Sequence, residues 1–224
     1  MTDPQPRRGA RAEPLPAILQ SLGLAAALQQ PLQQYLDELE KWNRAYNLTA
    51  IRDRDEMVVR HVLDSLAVLP TFAPDLERSE LRLLDVGSGG GMPGLLLAIV
   101  RPHWRVTVLD GNGKKARFLR HAVRALALSN VEVAEARVED WQSPQPFDFI
   151  ISRAFAALAD FVSLSGHLLA ADGRWLAMKG KVAPAELEAL PEGLVIEAIH
   201  PLEVPGLHEA RSLVVVRRHQ AKTT

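Results

Sequence analysis

The chain has 224 residues, 47% of them hydrophobic, and a formal net charge of −1. That length allows one ordinary-to-large domain, or one with an appendage, and no apolar run reaches the roughly 18–20 residues needed to span a membrane. The lack of cysteine excludes disulfides, thiolate zinc sites and any cysteine nucleophile, and the near-neutral balance leaves no global basic field for nucleic acid.

The N-terminal stretch MTDPQPRRGARAEPLP carries arginines but no apolar h-region, so residues 1–14 read as a disordered leader and not as a secretory signal. Residues 15–75 read as a helical cap. AILQSLGLAAALQQPLQQYLDELEKWNRAYNL has apolar residues at helical spacing, with Pro31 suited to the first turn of a second helix. RDEMVVRHVLDSLAVL repeats the pattern and ends before Pro70. From Leu81 on, apolar β-type runs alternate with helical stretches. LRLLDV and RVTVLD (105–110) read as strands; residues 112–128 read as an amphipathic helix. That helix has Ala116, Leu119, Val123 and Leu126 on one face and Asn112 as cap. VEVAEA (131–136) and FDFIIS (147–152) are strands, residues 156–169 a helix, and GRWLAMKG (173–180) a further strand. LVIEAIHPLEV and SLVVVRR, joined only by a loop, suggest an antiparallel pair. Residues 76–219 are therefore expected to form an α/β domain, a mostly parallel sheet with helices on both faces.

The run LRLLDVGSGGGMPG (81–94) passes from strand to glycine-dense turn to helix start. Glycines permit positive φ and a close ligand approach, and α/β proteins hold nucleotide-like cofactors at such turns. An acid at the strand's end, Asp85, followed by Gly-x-Gly resembles the first motif of class I S-adenosylmethionine (AdoMet) methyltransferases, Rossmann-like proteins with a seven-stranded sheet and an antiparallel C-terminal hairpin. A literal GxGxxG at Gly89, Gly91 and Gly94 keeps an NAD-dependent oxidoreductase open. Asp110 ends the second strand, where a carboxylate accepts from ribose hydroxyls of either cofactor. Glu139 and Asp140, in ARVED after the third strand, suit an adenine contact, with Val138 packed on the ring. The ISRAF segment (151–155) lacks the (N/D/S)PP(Y/F) tetrad of exocyclic-amine methyltransferases. Carbon-5 chemistry needs the missing cysteine. A substrate atom with a lone pair, such as guanine N7, needs no general base, and orientation then supplies most of the rate. His61, Asp64 and Ser65 share a helix face, which suits a polar network better than a triad. Trp42 and Tyr46 read as packing residues. Residues 101–124 hold seven Lys or Arg against one acid, Asp110, so a phosphate-binding face is expected around Arg101, Arg105, Lys114, Lys115, Arg117, Arg120 and Arg124.

Taken in order, WNRAYNLTAIRD, RHVLDSL, LLDVGSGGGMPGLLLAIVRP, KKARFLR, ARVED, FDFIISRAF and MKG resemble the bacterial ribosomal RNA small subunit methyltransferase G family, also called glucose-inhibited division protein B. The resemblance runs from about residue 35 to 218. It implies methyl transfer from S-adenosylmethionine to N7 of a guanine in 16S ribosomal RNA, releasing S-adenosylhomocysteine, with the small ribosomal subunit as partner. Cofactor contacts are expected at Gly87, Ser88, Gly89, Met92, Asp110, Arg137, Val138, Glu139 and Arg153. Arg153 is expected nearest the methyl-transfer site, and His61, Lys114, Lys115 and Lys179 are expected on the RNA side. Gly90 stands where the family often has Pro, and Met92 where Leu is common. No metal is expected. A cytoplasmic monomer is the expected state, and a non-catalytic RNA-binding module the alternative outside enzymes.

Overall fold

A computed structural model describes residues 19–20, 23–153, 155 and 157–219; the expected leader, residues 1–14, lies outside them. The first long helix is α1 (Gln29–Tyr46), with Pro31 in its first turn. It stops at Asn47, which takes the left-handed conformation at φ 50°. Asp53 caps α2 (Arg54–Met57) by accepting from the Glu56 N–H. The chain then enters a π-helical segment (Val58–Leu63) and α3 (Asp64–Leu66). It does not stop before Pro70 but continues as a 3-10 segment (Leu69–Asp75), because Pro70 sits in that segment's first turn, where no N–H is required.

The chain then alternates β1 (Arg82–Val86), α4 (Gly94–Val100), β2 (Arg105–Leu109), α5 (Gly113–Ala125), β3 (Val131–Ala134) and β4 (Phe147–Ser152). Then come α6 (Leu158–Ser165), β5 (Leu169–Lys179), α7 (Pro184–Glu188), β6 (Leu194–Pro201) and β7 (Ser212–Arg218). The α5 cap is Asn112, whose side chain accepts from the N–H groups of Lys114 and Lys115. Strand β5 begins at Leu169, inside the stretch expected to be helical; Leu169 pairs with Phe147 across a bulge in the β4–β5 ladder. The seven strands lie in the order β3-β2-β1-β4-β5-β7-β6. All neighbours are parallel except β5–β7 and β6–β7, so the C-terminal pair is antiparallel, as expected.

Strands β1, β2 and β4 are buried on both faces, which explains their unbroken apolar runs. Leu83, Phe149 and Ile151 join a core with α1, the cap, α4 and α5, while Leu84, Val86 and Ile150 join another with α6. Chain direction across the sheet reverses between β1 and β4. Ligands of open α/β sheets bind at the carboxyl edge of such a switch point, and here that edge carries the glycine loop and Arg153.

Candidate active site

The loop after β1 holds Gly87, Gly89 and Gly91 at φ 73°, 57° and 86°, a region glycine enters without steric cost. Its N–H groups point inward. Gly87 and Ser88 donate to Leu109 O (2.8 and 3.1 Å), Gly91 and Met92 to Ser88 O (2.7 and 3.0 Å). Gly89 donates to Asp110 Oδ2 and Gly94 to Asp85 Oδ2, each at 2.9 Å. Asp85 is fully buried at the head of α4. Burial, partly offset by the Gly94 N–H, raises its pKa to about 6. A dinucleotide site needs that helix head and those loop N–H groups for pyrophosphate; here a carboxylate and internal bonds occupy both. The late GxGxxG serves packing instead. A Cβ at Gly94 would fall 2.8 Å from Asp85 Cβ, and one at Gly91 2.4 Å from a Leu95 methyl. The Gly87 and Gly89 carbonyls, in contrast, accept no hydrogen bond among the described residues.

Three concavities follow one another along this edge. The first, about 270 Å³, lies between the ends of β2 and β3, against Asp110, Arg137, Val138 and Glu139. The second, about 210 Å³, lies over Gly87, Ser88, Gly89 and Met92, with Leu48 and Thr49 from the cap. The third, about 400 Å³, lies among Arg60, His61, Asp64, Lys179 and Arg211. Gly87 lines the first and second, and Arg153 the second and third, so neighbouring cavities share a wall residue.

Asp110 Oδ1 accepts from the Asn112 N–H at 2.8 Å and Oδ2 from Gly89, so further donors must use the remaining lone pairs. Lys115 Nζ stands 3.9 Å from Asp110 Oδ2. That puts it at the wall of the first cavity, while Lys114 is exposed. Val138 is buried, while Arg137 and Glu139 are exposed. Ser88 is buried and donates to Asp85 O at 2.8 Å, which shapes the loop.

Arg153 leaves β4 just after Ser152, whose hydroxyl ties β4 to Val86 O of β1 at 2.7 Å. Its Nη1 donates to Arg60 O at 3.1 Å and Asp64 Oδ2 at 3.2 Å, and Nη2 reaches Met92 Sδ at 3.3 Å. The other Asp64 oxygen accepts from Arg211 Nε at 3.1 Å. A buried carboxylate held between two guanidiniums avoids the penalty of an unpaired interior charge. His61, in the π segment, and Asp64, just after it, are both buried. His61 Nε2 meets Thr49 Oγ1 at 3.0 Å. Burial first, then the Arg153 and Arg60 charges, lowers its pKa to about 4, so its imidazole is neutral at pH 7. Lys179 Nζ contacts Phe155 O (2.9 Å) and Glu186 (2.7 Å) at the wall of the third cavity.

Sequence reasoning passed over Arg211, 147 residues from its partner Asp64, and Tyr35, whose hydroxyl donates to Gly90 O at 2.7 Å. Neither carries a local signal, since Arg211 sits in a loop and Tyr35 reads as ordinary helix packing. Arg101 and Arg105 do not join α5 at the site. Arg105 begins β2, at the opposite end from Asp110, and pairs with Glu80 at 2.7 Å.

The family model for rRNA small subunit methyltransferase G (GidB) matches residues 28–215. The chain belongs to this family. A ribosomal RNA small subunit methyltransferase G of Ectopseudomonas mendocina is 53% identical over 195 residues, covering 87% of this chain and 89% of the relative. Another, of Xanthomonas euvesicatoria pv. vesicatoria, is 48% identical over 200 residues, covering 89% and 92%. Among solved structures, a SAM-dependent methyltransferase from Thiobacillus denitrificans in complex with S-adenosyl-L-homocysteine has a TM-score of 0.53 at 12% identity, covering 80% of this chain and 96% of that one. Coclaurine N-methyltransferase bound to N-methylheliamine and SAH has a TM-score of 0.56 at 12% identity, covering 83% and 78%. The fold is that of class I AdoMet-dependent methyltransferases, and the family's activity replaces the oxidoreductase reading.

Proposed function

We propose that the chain transfers a methyl group from S-adenosylmethionine to N7 of a guanine in 16S ribosomal RNA of the small subunit. The observation that carries this is the row of three cavities at one sheet edge, with Gly87 and Arg153 as the walls that neighbours share. The first suits an adenosine: Asp110 keeps lone pairs for ribose hydroxyls, buried Val138 offers an apolar surface to the ring, and Glu139 and Arg137 flank it. The second suits an amino-acid moiety, because the Gly87 and Gly89 carbonyls are acceptors for an ammonium group. The third takes the nucleobase.

Bound there, S-adenosylmethionine supplies a methyl group on a sulfonium, which a lone pair at N7 can take without loss of a proton. The protein therefore needs no general base. His61 is neutral with its Nε2 on Thr49, and Asp64 is tied up in two ion pairs. Arg153 is held from three sides at the junction, and its Nε–H has no partner among the described residues. That donor suits guanine O6, the acceptor beside N7. Rate then comes from orientation. We also infer a cytoplasmic monomer, in keeping with an RNA substrate and near-neutral charge. No helix among the described residues is long and apolar enough to cross a membrane.

Transfer of labelled methyl from AdoMet to unmethylated small subunits, with naked 16S RNA alongside, tests the reading. Label is expected in the RNA. Arg153→Ala is expected to lower turnover about 10²–10³-fold, the usual cost of one preorganised donor, with little loss of fold because Asp64 retains Arg211. AdoMet binding without any transfer would leave a non-catalytic module, and an unchanged Arg153→Ala rate would remove that residue from the site.

A further inference from the structure

Helices α1 and α5 pack antiparallel. Gln34 reaches Ala125 O (2.9 Å), Glu38 meets His121 (2.6 Å), and Trp42 lies against His121 and Phe118 with ring centroids 4.9 and 5.8 Å apart. Continuing that register, Tyr46 falls beside the first turn of α5, which begins at Gly113. Tyr46 stacks on Trp42 at 5.1 Å, and its side of the pair is 37% exposed. A partly exposed aromatic ring thus stands at the end of α1, one residue before Asn47 and two before Leu48, which with Thr49 walls the second cavity.

The basic residues of α5 divide into two sets. Lys115, Arg120 and His121 are engaged by Asp110, Glu135 and Glu38. Lys114, Arg117 and Arg124 are exposed and form no ion pair among the described residues. With His121 they recur at spacings of three, four and three, which places them on one stripe of the helix, along the seam with α1. From Lys114 to Arg124 the stripe runs ~15 Å away from the mouth of the cleft.

We propose that this seam is a docking surface for single-stranded RNA flanking the target guanine. One unpaired base stacks on Tyr46, and the adjoining phosphates follow Lys114, Arg117 and Arg124. Stacking on an aromatic face combined with a cation track is how proteins hold unpaired strands. Lys114, Arg117 and Arg124 on this stripe are exposed and form no ion pair among the described residues, so their charge is available to phosphate, whereas the engaged set stabilises the fold. The proposal rests on the RNA-methyltransferase reading above.

Three proteins decide it: wild type, Lys114→Ala/Arg117→Ala/Arg124→Ala and Tyr46→Ala. Each is titrated with naked 16S RNA over a salt series and with AdoMet by calorimetry. The triple variant is expected to bind RNA more than tenfold more weakly and to flatten the slope of log affinity against log salt by about two units, near 0.7 for each lost phosphate contact to a single strand. Tyr46→Ala is expected to weaken RNA binding roughly tenfold, as loss of one stacked base does, with the salt slope unchanged and Tyr46→Phe restoring affinity. AdoMet affinity should stay within twofold throughout. Wild-type affinity and slope in both variants, alongside an active wild-type enzyme, would overturn the docking surface and leave the methyltransferase reading standing. A wild-type protein that neither binds RNA nor methylates it would overturn both.

Discussion

His61 and Asp85 are buried titratable side chains whose charged forms the fold disfavours, with opposite consequences for stability. His61 titrates at about 4 in the fold against an ordinary 6.5. Between those values the unfolded chain binds more protons, so this group makes stability rise with pH. Asp85 titrates at about 6 against 3.8. There the folded state binds more protons, and stability falls as pH rises. Each effect amounts to about 3 kcal/mol at most, and over pH 4–6 the two offset. Asp85→Asn is therefore expected to give a denaturation midpoint that climbs between pH 4.5 and 6.5, and His61→Gln one that declines. Parallel pH profiles in wild type and both variants would contradict these assignments. Asp85 was legible as a signature acid, but not its burial or its bond to Gly94, which arise from the close approach of α4 to β1.

The glycine loop after β1 is held by struts from neighbouring elements. Asp85 of β1 and Asp110 after β2 take its N–H groups, and α1 braces it through Tyr35 and Leu39. A Cβ at position 90 would come 2.8 Å from Met92 Cε and 3.1 Å from Leu39 Cδ1, so α1 presses directly on Gly90. Tyr35→Phe keeps the packing and removes one buried hydrogen bond, leaving the Gly90 carbonyl unpaired. It should cost about 1–3 kcal/mol of stability and weaken AdoMet binding several-fold by calorimetry; unchanged affinity would mean that the brace does not hold the loop. The alternation of apolar runs made all seven strands and α5 readable, and Asn112 marked the α5 start by its chemistry. The π segment was not readable, because a shift of hydrogen-bond register leaves the apolar spacing of VVRHVL looking like ordinary helix. The helix α7 is only five residues long and has no buried position, so it leaves no periodic signal.

Across the whole molecule, the site is assembled from segments far apart in the chain. Sheet topology brings Gly87 and Arg153 together at the switch point. The N-terminal helices and the β6–β7 connection meet at the third cavity through Arg60–Glu209 at 2.7 Å and Asp64–Arg211 at 3.1 Å. The ordered motifs of the sequence identified the family. The third cavity was less legible, since the Asp64–Arg211 pair exists only once the C-terminal strands have folded against the N-terminal helices. The reaction proposed for this edge is transfer to a base atom that attacks with its own lone pair.

Chemical mapping of the methylated position tests that claim most directly. Small-subunit RNA labelled by the protein and AdoMet would be treated by N7-selective reduction and strand cleavage. A single break, at one guanine that also carries the label, is the expected result. Label without a break at any guanine would place the methyl on another atom and contradict the account.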